Sequence, residues 1–460
     1  MSESRQDLRT YIRDLEEAGE LLRIKKELDP RSNLGGLAYQ GENKLHKATL
    51  FENLKGYPGW RVVSYMCGSR RRLAVALGTT PKDFIRTMSE ALERGLIPCK
   101  MVADGPVREV IWRGEDADLN RLPLHQHADA DAGPYIGGGM GIVKDPETGI
   151  RNVSLCRHQL QDRYQLGISV GIMKHTYKIY QKYERMGKPM PIAVVNGHHG
   201  IHYLAATWTT AFGIDELEVA GSLMGKPVEL VKCETIDLEV PADAEVVIEG
   251  EIAPNERALE GPFTEHTGYA KIGGGYNPFI KVKAITKRKD AIYYALQGGR
   301  PIAESQLLDG VGREVSLFSR LKDVSGYVDL KDVVFPTYCG GGHVVIVQLA
   351  PHVEGIVTDV LMAALSGQYN SPKIAIAVDE DVDPHDPTEV FWSMSTRTNP
   401  ARDVFVIPNT TAVGLDPSMP LITPKDVFPG VRQGSRMGIN ATKPSSRIPK
   451  EREDLRRSIP

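Results

Sequence analysis

Cysteine is scarce: the 460 residues hold five, at 67, 99, 156, 233 and 339, with no Cys-x-x-Cys pair. A scattered, odd-numbered set supports neither a disulfide framework nor a zinc knuckle, and it fits a reducing cytoplasm. Long apolar runs are missing too. Stretches such as Val344–Val347 and Ile374–Val378 are strand-length, far below the roughly 20 residues of a membrane helix. The first residues, Met1-Ser-Glu-Ser-Arg-Gln-Asp-Leu8, are polar from the start, so a secretory signal is not expected. A formal charge of -3 gives no single-sign field that would select nucleic acid or an anionic membrane. The glycine triplets at 137–139, 273–275 and 340–342 complete neither a Walker motif nor a dinucleotide fingerprint. They read as turns, or as places where backbone must approach another element.

What is present is ordinary globular composition over a long chain. With 41% hydrophobic and 25% charged residues, 460 residues can fold compactly but exceed one core, so two to four domains are expected. The first segment, 1–112, reads as a small α+β domain. Ser4-x-x-Asp7 opens a helix with Leu8, Tyr11, Ile12 and Leu15 on one face, and Gly19 can end it. Strands are expected at Leu21–Ile24, Thr49–Phe51 and Trp60–Tyr65, and a second helix between Thr80-Pro81-x-Asp83 and Gly95. Over 113–322 the pattern changes to short strands with tight turns, notably Gly141–Lys144, the turn Asp145–Gly149 and Ile150–Gln159. Two helices interrupt it, Thr176–Met186 and Asp215–Met224, each stopped by glycine. Over 323–460, Gly342–Leu349, Val353–Ser366 and Lys373–Val378 form a β-α-β pattern. Beyond Val431 basic residues outnumber acidic ones, which suggests a solvated or subunit-embracing arm.

The sharpest local feature is Leu259-Glu260-Gly-Pro-Phe-Thr-Glu265-His266-Thr-Gly268. Carboxylates five apart on a straight strand point to opposite faces, but a Gly-Pro bend can bring both to one side. Two such groups sharing a site with a cation can divide acid and base work. Solvated carboxylates around a turn would look the same. In Asn152-Val-Ser-Leu-Cys-Arg157, Asn152 and Ser154 share a strand face and Arg157 lies on the other unless the strand bends. His175 before one helix and Glu216 in the first turn of another occupy ordinary places for capping or solvated residues. Spacing alone does not assemble these into a site.

Taken in order, these segments resemble the UbiD family along nearly the whole chain. Asn152-x-Ser154-x-x-Arg157 resembles the strand that bears a metal-binding Asn and the catalytic Arg, and His175 and Glu216 fall at the other two metal-ligand positions. Val231–Thr235 and Leu238–Pro241 resemble the segment leading to the carboxylate motif, Glu260 to Gly268, which carries two further catalytic acids. The resemblance implies an α/β and β multidomain fold: an N-terminal α+β domain, a central split β-barrel that binds flavin, and a C-terminal α/β oligomerisation domain.

Loss of carbon dioxide from an sp² carbon leaves electron density that no amino-acid side chain can accept. The resemblance supplies the electron sink, prenylated FMN. It implies a reversible, non-oxidative decarboxylase acting on an unsaturated, aromatic or heteroaromatic carboxylic acid. Arg157 would face the substrate carboxylate, Glu260 would hold Arg157, and Glu265 would deliver the proton. Asn152, His175 and Glu216 suit manganese or magnesium, and potassium is a further expected cation. Cofactor contacts are implied for Asn152, Ser154, Leu155, Cys156 and Arg157, for Lys174, His175, Thr207 and Glu216, and for Lys373 at the phosphate. Expected partners are the acid itself, a flavin prenyltransferase that supplies the cofactor, and further copies of the chain in a dimer or hexamer, with neither nucleic acid nor membrane. Arg300, in the stretch corresponding to the family's variable substrate side, could meet a second polar group on the substrate, or lie in solvent or at a subunit contact. Two other readings stay open, an FMN-dependent reductase on a split barrel and a non-catalytic partner subunit. Both leave Arg157, Glu260 and Glu265 without a task.

Overall fold

The structure, a computed structural model, describes residues 7–171, 174–209, 211–265, 267–269, 275–299, 303–339 except 325–327, 342–351, 355–366, 372–412, 415–422 and 432–443. The chain divides into two compact units, with the boundary between Leu308 and Asp309.

The first unit opens as the hydropathy pattern requires. Helix α1 (Leu8–Glu17) is capped by Asp7, whose carboxylate accepts from the Thr10 N–H, and it buries Leu8, Tyr11, Ile12 and Leu15. Then come β1 (Leu21–Ile24), α2 (Leu34–Leu45), β2 (Ala48–Phe51), β3 (Arg61–Ser64), α3 (Arg70–Leu77) and α4 (Phe84–Glu93). Neither α2 nor α3 was expected from the sequence. Gly35, Gly36 and Gly41 weaken α2, and its N-cap Asn33 makes no side-chain bond. Packing of Leu34 and Ala38 stabilises it instead. Asp83 precedes α4 but does not cap it; its carboxylate accepts from the Thr80 hydroxyl. β1 pairs with β2 in parallel and β2 with β3 antiparallel, while β3 takes a parallel partner from Ile292–Tyr294.

After β4 (Lys100–Met101) and β5 (Val110–Arg113), the chain runs through β6 (Tyr135–Lys144), β7 (Arg151–Asp162), β8 (Gln165–Ile168), α5 (His175–Met186), β9 (Met190–Asn196), α6 (Gly200–Thr207) and α7 (Glu216–Met224). β10 (Glu229–Lys232), β11 (Glu239–Pro241), β12 (Val246–Ile252), β13 (Ala258–Glu260), β14 (Gly275–Asn277), β15 (Phe279–Lys287) and β16 (Ile292–Tyr294) follow. Six of these strands, in the order β12-β9-β6-β7-β8-β15, close into an antiparallel barrel through a β12–β15 pairing. Closure leaves those strands without a free edge. Ile136, Leu166, Ile168, Ile192, Val194, Ile248, Ile280 and Ile285 belong to the buried core, and Ile179 and Tyr180 of α5 join the same cluster.

Barrel strands bend where register slips. Ile136 pairs with His158 and Gly139 with Cys156, so Gly137 and Gly138 of β6 face the single residue Arg157 of β7. These glycines are required by contact: a Cβ on Gly137 would lie 2.4 Å from the Leu296 carbonyl, and one on Gly139 would lie 2.7 Å from the His158 ring. The triplet at 137–139 is therefore a place of close approach. Residues 273, 274, 340 and 341 of the other two triplets lie outside the described residues.

Helix α8 (Glu304–Val324) begins in the first unit and continues into the second. Glu304, Leu307 and Leu308 lie in its first two turns. Glu304 is buried and accepts from the backbone N–H groups of Tyr65, Cys67 and Gln297 and from the Tyr294 hydroxyl. The second unit contains β17 (Val328–Val334), β18 (Val344–Pro351), α9 (Ile356–Leu365), β19 (Ile374–Asp379), α10 (Pro387–Arg397), α11 (Pro400–Asp403), β20 (Val404–Ala412) and β21 (Arg432–Ala441). Its sheet runs β17-β18-β19-β21-β20, and β18 and β19 are parallel with α9 between them in the chain, the β-α-β unit read from the sequence. Ile346, Ile376, Val378, Val390 and Ile439 centre its core.

Candidate active site

The two carboxylates of the Glu260 to Gly268 motif meet on one guanidinium. Glu260 ends β13 and accepts from Arg157 Nε at 2.9 Å and from Nη2 at 2.8 Å, a bidentate pair. Arg157 Nη1 donates to Glu265 as well. Both glutamates are buried. Burial works against the charge of Arg157, but Glu265 and Glu260 outweigh it and hold the guanidinium well above its ordinary pKa. The bend between the acids is built from Gly261, at φ 96°, and Pro262. It is tied down by the Gly261 N–H on Gln159 Oε1 at 3.0 Å and by the Thr264 N–H on Asp131 Oδ1 at 2.7 Å. Asn277 of β14 donates to Glu260 Oε2 at 3.3 Å. The Phe263 ring lies under Arg157, 4.9 Å from Cζ to the ring centroid. Asp131, Phe263 and Asn277 were not picked out from sequence, and only the placement of Phe263 between the two acids hinted at a role.

A second group forms farther along β7. Asn152 Nδ2 donates to Glu216 Oε1 at 2.9 Å, and the Val153 N–H donates to Glu216 Oε2 at 2.6 Å. Asp215, not Glu216, caps α7, accepting from the Leu217 N–H. Glu216 is buried rather than solvated, and burial pushes its carboxyl up to about 8. Among the described residues no Lys or Arg forms an ion pair with it. The Thr176 hydroxyl donates to Asn152 Oδ1 at 2.9 Å and lies 2.7 Å from Ser154 Oγ, so Thr176, absent from the sequence-derived set, joins strand to helix. His175 opens α5 immediately before it and stacks edge-on against Phe212 at 5.2 Å, in the loop leading to α7. Burial, with Lys178 nearby, lowers the His175 pKa. Amide, imidazole and buried uncompensated carboxylate are a donor set that fits a hard divalent cation.

The remaining expected contacts separate into three situations. Lys174 Nζ donates to the Leu155 carbonyl at 3.0 Å and lies 4.0 Å from Cys156 Sγ, while Ser154 Oγ lies 3.5 Å from that sulfur, so these four residues form one patch on β7 and the start of α5. The Thr207 hydroxyl turns back on its own helix, donating to the Tyr203 and Leu204 carbonyls. Lys373 belongs to the second unit, where it pairs with Asp416 at 3.2 Å and donates to Ser418 Oγ at 2.6 Å. Arg300 and His266 lie outside the described residues. No helix among the described residues is long and apolar enough to cross a membrane.

Comparison with known proteins identifies this arrangement. Residues 12–92, 100–301 and 306–441 match the models of the N-terminal, Rift-related and C-terminal domains of 3-octaprenyl-4-hydroxybenzoate carboxy-lyase. The UbiD-class enzyme HmfF from Pelotomaculum thermopropionicum, solved in complex with FMN, is 36% identical, with a TM-score of 0.88 over 99% of this chain and 97% of that one. An evolved dimeric form of HmfF, solved with prFMN, is 33% identical, with a TM-score of 0.86 over 99% and 97% of the two chains. Vanillic acid decarboxylase from Sedimentibacter hydroxybenzoicus, in its closed form, is 30% identical, with a TM-score of 0.86 over 100% and 97%. The barrel, the flanking domains and these likenesses together establish that the chain belongs to the UbiD family and is one of its carboxy-lyases.

Proposed function

We propose that this carboxy-lyase releases carbon dioxide, reversibly, from an unsaturated carboxylic acid of the aromatic or heteroaromatic class, with prenylated FMN as its cofactor. The observation that carries the reading is Arg157 clasped by Glu260 and Glu265. HmfF with prFMN and the vanillic acid enzyme support the cofactor and the substrate class. When bound, prenylated FMN supplies the electron sink that decarboxylation at an sp² carbon requires.

The chain's own residues orient the acid and move the proton. The guanidinium of Arg157, kept charged by its two partners, aligns the substrate carboxylate through paired N–H groups. Glu260, fixed by Asn277 and by two bonds to Arg157, stays with the arginine. Glu265, joined to Arg157 through Nη1, delivers the proton to the carbon that loses carbon dioxide, a task for which it must be protonated when the carboxylate departs. Asn152, His175 and Glu216 would hold manganese or magnesium, with potassium as a second cation, and Ser154, Leu155, Cys156, Lys174 and Thr207 would complete the cofactor contacts of the first unit. The enzyme works in the cytoplasm as a homo-oligomer and takes its cofactor from a flavin prenyltransferase. The N-terminal, barrel and C-terminal segments divide near residues 112 and 322.

Co-expression with a flavin prenyltransferase, mass spectrometry of the bound flavin and a panel of aromatic acids assayed for carbon dioxide release test the reading. Bound prenylated FMN with release from at least one acid is expected. Plain FMN alone, with no release, would replace it by the reductase reading. Glu265→Gln should stop turnover while flavin content stays at the wild-type level; full turnover in that variant would remove Glu265 from its assigned role.

A further inference from the structure

We propose that Phe263 is a positioning residue for Arg157, fixing the tilt of the guanidinium through the face of its ring; the inference rests on the decarboxylase reading above. Two parallel hydrogen bonds to Glu260 locate the guanidinium in its own plane. They leave rotation about the edge that carries them. The contact with Glu265 restrains that rotation only while Glu265 stays on Nη1, and Glu265 must turn away to deliver a proton. A ring face under the cation restrains the same motion throughout, and Cζ at 4.9 Å from the Phe263 centroid is within cation–π range.

The ring is itself packed between two aromatic neighbours. Tyr135 packs against it at 4.6 Å, and His127 meets it edge-on at 5.3 Å. The His127 ring is oriented by the Gly298 N–H, which donates to Nδ1 at 3.2 Å. Gly298 also makes room, since a Cβ there would lie 3.2 Å from Phe263 Cζ. The following residue is anchored through the Thr264 N–H on Asp131. Phe263 thus transmits the position of a rigid frame to Arg157.

Progressive fluorination at this position weakens the ring's negative face while nearly preserving its shape, which separates positioning from packing. Flavin-loaded full-length enzyme carrying 4-fluoro-, 3,5-difluoro- or 3,4,5-trifluorophenylalanine at 263 would be compared with wild type and Phe263→Leu. The measurements are kcat and KM for an acid turned over in the panel, benzoate affinity by calorimetry, thermal midpoint and flavin absorption. The expected result is a stepwise fall in kcat/KM, reaching about five- to thirtyfold, with benzoate binding weakening in step and the midpoint and flavin spectrum unchanged. A flat series, or one in which the midpoint falls in parallel with activity, would show that the ring only packs and would overturn the proposal. Wild-type enzyme that neither turns over an acid nor binds benzoate would instead overturn the decarboxylase reading, and the inference with it.

Discussion

Arginine and lysine are not interchangeable at position 157, because only a planar fork can give two parallel bonds to Glu260 and a third to Glu265. Arg157→Lys should therefore cut kcat/KM by at least about a hundredfold, since charge-assisted bonds are worth roughly 1.5–3 kcal/mol each. Circular dichroism should remain that of the wild type, and turnover within tenfold of wild type would contradict the role given to the guanidinium. At this scale the sequence was legible only in part. The Gly-Pro bend allowed Glu260 and Glu265 to face one way, and they do. What they face was legible only through the family resemblance, which set Glu260 against Arg157; Arg157 lies more than a hundred positions upstream of both acids, and no local periodicity reports such a pairing. Asn152 and Glu216, grouped only by that resemblance, meet across 64 positions.

Elements carry signals of unequal strength, and their legibility followed from it. α5 and α7 end in left-handed glycines, Gly187 at φ 64° and Gly225 at φ 71°, where the sequence placed their ends. α2 and α8 lacked such signals, since internal glycines blur the helical pattern and packing supplies the stability. The β6 glycines show the opposite case, in which absence of a side chain is the requirement. Gly137→Ala should lower stability by about 1–3 kcal/mol, seen as a lower denaturant midpoint at constant slope, because its Cβ would meet the Leu296 carbonyl at 2.4 Å. The first turn of α8 gives a pH-dependent prediction. Burial lifts Glu304 to about 7 from an ordinary 4.5, so the folded state holds this proton more tightly than the unfolded chain does. Its contribution to stability is then largest at low pH and declines as pH rises through that window. Glu304→Gln, which carries no proton to lose, should flatten this decline. An unchanged pH profile in the variant would show that Glu304 does not titrate there.

The whole molecule has the reverse dependence built into its histidines. Burial, the leading cause in each case, lowers His127, His158 and His199 to about 4 and His198 to about 3 from an ordinary 6.5, and it lowers His125 and His202 as well. The unfolded chain therefore binds protons that the folded one refuses, and stability should fall as pH drops from about 6.5 toward 4. Urea midpoints at pH 7, 6 and 5 would measure the fall. His202→Phe should lessen it, because both ring nitrogens of His202 are buried with no hydrogen-bond partner among the described residues and the phenyl ring leaves nothing to protonate. An identical slope in that variant would exclude His202 from the effect. Strand β7 sets a limit of another kind. It carries Asn152 near one end and Arg157 five positions on, a span of about 17 Å at strand rise, and β6 bonds to it on both sides of that stretch. It works as a ruler with two fixed marks. An acid of a different size cannot be accommodated by stretching the distance between them, so adaptation to new substrates must come from the loops that face Arg157, and directed evolution of this scaffold should leave β7 untouched.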